Sequence, residues 1–146
     1  MIMFTVNDFT KGESNGNWHG YVLNKECKIF GKPFNKKIEL SIHKNQTLEK
    51  SIAKIDEYMT WLSGDACKDI LISELCEVVN EYSAVTPEYF NETKWFETLQ
   101  VYSVLVTVTE DGRLGADVSA GDNYDDDHVL TIELIEQEVD LLYYDG

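Results

Sequence analysis

The spacing of apolar residues in this chain changes twice, and that change limits its fold more than any other feature. In Lys37-Ile38-Glu39-Leu40-Ser41-Ile42-His43 apolar and polar residues alternate, the period of a strand with one packed face and one wet face. After Thr47 the apolar residues Leu48, Ile52, Ile55, Met59 and Leu62 recur at steps of four, three, four and three, a continuous stripe along one side of a helix. Thr47 suits the cap of that helix and Gly64 its end. Asp65 opens a second helical pattern through Cys67, Leu71, Leu75, Val78 and Tyr82, and the short link makes the two helices packing neighbours. Thr86-Pro87-Glu88 has the cap, first-turn proline and acid of a third helix start, with Phe90, Trp95, Phe96 and Leu99 anchoring that helix or the link beyond it.

Strand-forming residues return in Gln100 to Thr109, where Val101, Val104, Val106 and Val108 are prominent. Asp111-Gly112 supplies a pair of positive-φ residues for a tight hairpin into Leu114 to Ser119. Val129 to Ile135 and Val139 to Tyr144 read as two further strands. Before the helices, Lys11 to Asn17 is a cluster of turn formers, Trp18 to Leu23 reads as a strand, Asn24-Lys25 as a turn and Cys27 to Phe30 as a strand. Gly31-Lys32-Pro33 then breaks the pattern. No repeat, linker or low-complexity segment divides residues 1–146, so one domain is expected. The order strands, helices, strands predicts an α+β fold, a mainly antiparallel sheet with two to three helices packed on one face.

Charge narrows the function classes. The chain carries 12 Lys+Arg against 27 Asp+Glu, a formal net charge of -15, the wrong sign for attraction to phosphate backbones. A nucleic-acid partner is not expected. Residues 1 to 64 hold nine Lys and seven acids, whereas residues 65 to 146 hold three basic residues and twenty acids. That acidic second half serves solubility or, on the sharper reading, a basic protein partner. No apolar run reaches the roughly 18 residues of a spanning helix, and Met1-Ile2-Met3-Phe4 lacks a basic flank and cleavage site, so a cytoplasmic location with no membrane contact is expected. Cys27, Cys67 and Cys76 form an odd set without C-x-x-C spacing, which predicts reduced thiols acting as small hydrophobes.

The densest polar stretch is Asp122-Asn123-Tyr124-Asp125-Asp126-Asp127-His128, between two expected strands. Counted as an EF-hand, it fails at the third position, Tyr124, and at the glycine position, Asp127. The leading reading is therefore a solvated, partner-facing loop, with Asp122, Asp125, Asp126, Asp127 and His128 as binding residues and Glu133 and Glu136 as their neighbours. The alternative is a metal-dependent hydrolase that uses the same carboxylates with His128. His19, His43 and His128 have no zinc-motif spacing, no Ser or Cys stands in a nucleophile signature, and no glycine-rich turn leads from a strand into a helix. No catalytic residue, metal ligand or cofactor is assigned. Trp18, Trp61 and Trp95 read as core residues or as interface anchors. Oligomeric state is left open, with Val139 to Tyr144 a candidate pairing strand.

Several of these segments together resemble a group of uncharacterised bacterial α+β domains. They are Asn17-Trp18-His19-Gly20, the Lys37 to Ile42 strand, the helical middle, Thr86-Pro87-Glu88-Tyr89-Phe90, Glu110-Asp111-Gly112 and Asp125-Asp126-Asp127-His128. In that group an aspartate-rich turn and a histidine precede a hydrophobic strand and the chain ends near a glycine, places held here by His128 and Gly146. The aromatic-Gly pair usual before the histidine is Asp126-Asp127 in this chain. Small acidic domains of this kind are often immunity proteins to toxins, so the resemblance implies a non-enzymatic binding role.

Overall fold

The computed structural model describes residues 3–82, 92–122 and 128–145. Its larger sheet has seven strands: β1 Phe9–Asn15, β2 Trp18–Leu23, β5 Ile38–His43, β6 Gln100–Val108, β7 Leu114–Gly121, β8 Val129–Ile135 and β9 Glu138–Asp145, in that spatial order. Every neighbouring pair is antiparallel except β5 and β6. The parallel pair needs a crossover, and α1 Leu48–Ser63, α2 Asp65–Tyr82 and α3 Glu92–Thr98 all lie within it. A small second sheet pairs β3 Cys27–Ile29 with β4 Lys32–Phe34. The fold is α+β, as the sequence pattern predicts.

The stripe on α1 is its buried face. Leu48, Ile55, Met59 and Leu62 are buried, Ile52 packs beside them, and Lys50 N–H donates to the Thr47 hydroxyl at 3.3 Å as a helix cap. On α2, Cys67, Leu71 and Leu75 are buried in the same core. The sheet residues under the helices alternate in register: Ile38, Leu40 and Ile42; Val104, Val106 and Val108; Leu114, Ala116, Val118 and Ala120; Leu130, Ile132 and Leu134. Each fully buried Leu, Ile or Val contributes about 2 kcal/mol relative to exposure, so this single core dominates the stability.

The end of α1 is closed by a turn that Gly31-Lys32-Pro33 does not reveal in the sequence. Phe30 and Gly31 both have positive φ, 54° and 82°, and form a two-residue hairpin turn between β3 and β4. Their N–H groups donate to Leu62 O at 2.8 Å and Ser63 O at 2.9 Å, satisfying carbonyls that the helix end leaves open. Phe30 is fully buried, and its packing holds the left-handed backbone in place.

Three local expectations are corrected. Lys11 to Asn15 is not turn but the body of β1, an edge strand. It is bulged between Lys11 and Ser14, and most of its residues are exposed, so no two-residue alternation marks it. At Asp111-Gly112 only Gly112 has positive φ, 82°. Gly112 N–H donates to Thr109 O at 2.9 Å, and Thr109 N–H to Arg113 O at 2.8 Å, the pattern of a three-residue loop with a glycine bulge. The breaker at Gly31-Lys32-Pro33 contains the start of β4. The expected helix start at Thr86-Pro87-Glu88 lies outside the described residues.

Candidate functional site

The described helices cover one face of the sheet, so the alternate residues of β6 to β9 form a second face that no described helix covers. On β8 that face presents Val129, Thr131, Glu133 and Ile135, and on β9 Glu138, Leu141, Tyr143 and Asp145. On β7 it presents Gly115, Asp117 and Ser119, and on β6 Ser103, Leu105 and Thr107. Four of these are large apolar side chains well exposed to solvent: Val129 at 40%, Ile135 at 42%, Leu141 at 45% and Tyr143 at 38%.

Strand register sets acids among them. One row across the sheet runs Glu39, Leu105, Asp117, Glu133, Leu141, each residue directly opposite the next. Glu138 stands opposite Ile135, and Asp145 opposite Val129. Asp117 and Glu133 are like charges in direct cross-strand opposition, an arrangement that costs stability. Desolvation raises the Asp117 carboxyl above its ordinary value. Beside it the strands approach closely at Gly115, where a Cβ would come within 2.7 Å of Leu134 O. A shallow pit of about 320 Å³ opens there, with Thr107, Asp111, Arg113, Asp117 and Ile135 in its lining.

Strand order also decides where the net charge goes. No strand from the second half of the chain is inserted among β1, β2 and β5, so the two halves of the sequence remain two halves of the sheet. Residues 9–43, which build the β1 to β5 end, contain six Lys and three Glu. Residues 100–145, which build β6 to β9, contain one Arg and twelve acids. That arginine, Arg113, lies with its Nε 3.9 Å from Glu136 Oε1. Helix α2 adds Asp65, Asp69, Glu74 and Glu77, of which Asp65 is 3.6 Å from Lys68 Nζ.

The sequence-selected residues separate into different environments. Asp122 is 8% exposed, and its Oδ2 accepts from Trp95 Nε1 at 2.7 Å and from the Tyr144 hydroxyl at 2.6 Å. Its carboxylate therefore joins β7, α3 and β9 internally. Glu133 is half-buried on the open face. Glu136 is an exposed turn residue with φ 51°; its N–H donates to Leu114 O at 2.7 Å and its carbonyl accepts from the Tyr58 hydroxyl at 2.8 Å. His128 is exposed, and Asp125, Asp126 and Asp127 lie outside the described residues.

Trp95 is core, whereas Trp18 is half-buried with its ring edge-on to His43 at 5.2 Å. Burial pushes the Cys67 thiol up to about 12. Among the described residues no group of three or more His, Cys, Asp or Glu could hold a metal ion. No described helix is long and apolar enough to cross a membrane.

Sequence reasoning missed the apolar patch of β8 and β9. The signal was present, because Val129-Thr131-Glu133-Ile135 and Leu141-Tyr143 are the off-phase residues of strands whose in-phase residues are core.

The geometry defines a class, an acidic α+β domain with one sheet face that no described helix covers. Compared with protein-family models, curated proteins and solved structures, the chain gives no match.

Proposed function

We propose that this protein is a non-enzymatic, immunity-like binding protein whose acidic β6 to β9 half recognises a basic protein partner. The observation that supports this reading is the strand order. It sets β6 to β9, whose described strands and turns carry nine acids and one arginine, beside one another and away from the lysine-bearing β1 to β5 end. A field of one sign accelerates encounter with an oppositely charged partner, and rim acids discourage wrong ones. In the sequence Asp125, Asp126, Asp127 and His128 fall between β7 and β8.

An affinity pull-down from the native cell, run at low and high salt, tests the reading. A basic protein retained at low salt and released at high salt is the expected result. With that protein in hand, replacing Asp125, Asp126 and Asp127 together by Asn is expected to slow association and flatten its salt dependence. An unchanged on-rate would remove that segment from the interface, and capture that is indifferent to salt would overturn recognition by charge.

A further inference from the structure

We infer that the open face of β8 and β9, together with Asp117, is the docking surface for a partner segment in which lysine or arginine side chains stand beside large apolar ones. The inference rests on the binding role proposed above and names the surface that performs it. Val129, Ile135, Leu141 and Tyr143 all project from one face of two adjacent strands, with exposures between 38% and 45%. Grouped apolar side chains rimmed by polar ones are the usual mark of an interaction surface.

Carboxylates decide the occupant. Register interleaves Asp117, Glu133, Glu138 and Asp145 with the apolar residues, so a wholly apolar occupant would desolvate four acids and leave them unpaired. Among the described residues Lys68 pairs with Asp65 on α2, and Arg113, at the edge of the pit beside Asp117, lies 3.9 Å from Glu136 rather than on Asp117, Glu133, Glu138 or Asp145. A second copy of the chain presenting the same face would set each carboxylate against acids of the same patch. A basic segment with apolar residues meets both demands: its apolar groups cover Leu141 and Tyr143 while its cations reach Glu133 and Asp117.

Fluorescence-polarisation titrations with three labelled peptides test this: a Lys/Leu repeat, a Lys/Ser repeat of equal charge, and a Glu/Leu repeat. The Lys/Leu peptide is expected to bind about tenfold more tightly than Lys/Ser, and Glu/Leu to show no binding. The Leu141→Ser/Tyr143→Ser variant is expected to reduce Lys/Leu affinity to the Lys/Ser level, and Asp117→Asn/Glu133→Gln to weaken it about tenfold. Glu74→Gln/Glu77→Gln on α2 is expected to leave it unchanged. If the double serine variant melts early, Leu141→Gln alone takes its place, and amide shift mapping on the unaltered protein must place the Lys/Leu peptide on β8 and β9. Equal binding of Lys/Leu and Lys/Ser, or shifts confined to α2, would overturn this surface while leaving charge recognition intact. Failure of every basic peptide to bind would overturn both. A dimer by light scattering that becomes monomeric in Leu141→Ser/Tyr143→Ser would assign the face to a second copy and overturn the basic segment.

Discussion

Asp122→Ala is expected to destabilise the fold strongly, because the carboxylate is an internal acceptor. Trp95 is 3% exposed and its indole N–H donates to Asp122 Oδ2 at 2.7 Å; the Tyr144 hydroxyl donates to the same atom at 2.6 Å. A hydrogen bond to a charged group is worth about 1.5–3 kcal/mol, and a buried donor left without an acceptor costs about 1–3 kcal/mol. Tyr144 is only half-buried, so water replaces part of what it loses, and the total comes to about 2–4 kcal/mol. In a domain of 146 residues each kcal/mol lowers Tm by about 3 °C, which predicts a fall of about 6–12 °C. Asp122→Asn keeps an acceptor oxygen and loses only the charge assistance, about 1 kcal/mol. Thermal melts followed by circular dichroism measure both. In a double-mutant cycle, Asp122→Ala with Tyr144→Phe should cost less than the two separately. A fall of less than about 2 °C in Asp122→Ala would refute the reasoning and return that carboxylate to the surface inventory.

Three further outcomes follow from particular contacts. Gly20→Ala should destabilise by about 1–3 kcal/mol in urea unfolding, because the backbone carbonyl of Glu13 in the β1 bulge occupies the space a Cβ would take; an unchanged midpoint would contradict that packing. Asp117→Asn should stabilise by roughly 0.5 kcal/mol at neutral pH, since it removes a like charge opposite Glu133. The native Asp117 carboxyl is raised, so its penalty is absent below the unfolded carboxylate value and fully present above the native one; the gain should shrink as pH falls through the carboxylate range, and a gain that grows instead would reverse the sign. Cys67, buried with its thiol pushed up to about 12, should resist a disulfide reagent at pH 8 until denaturant is added, and immediate labelling would show that the core there is open.

The sequence made the elements legible where burial imposes a period. The α1 stripe, the valines of β6 and the full span of β8 are all readable because one side of each faces the core. Edge strand β1 escaped for the opposite reason: most of its residues are exposed, so its glycine, serine and asparagine read as turn. The β3–β4 turn escaped because Phe30 takes a positive φ that only tertiary packing enforces. The crossover between β5 and β6 leaves no local signature, since parallel pairing is decided by where the returning chain inserts.

The candidate site was less legible than the fold. Local composition singled out the polar run beginning at Asp122, but composition does not show that Trp95 and Tyr144, 27 and 22 residues away, converge on its carboxylate. Conversely, the acidic second half was readable as a sum. That it stays on one side of the sheet is a property of strand order, and that Glu133 lies between Asp117 and Leu141 is a property of register.

The central claim is that charge collected on the β6 to β9 half steers a basic partner, and association kinetics of the captured partner test it most directly. On-rates measured across a range of salt would compare Glu133→Gln/Glu138→Gln/Asp140→Asn with a control of equal charge change on α2, Asp69→Asn/Glu74→Gln/Glu77→Gln. The sheet variant is predicted to associate more slowly and with a flatter salt dependence than the α2 variant. Equal slowing by the two would mean that only total charge matters, contradicting a localised recognition surface.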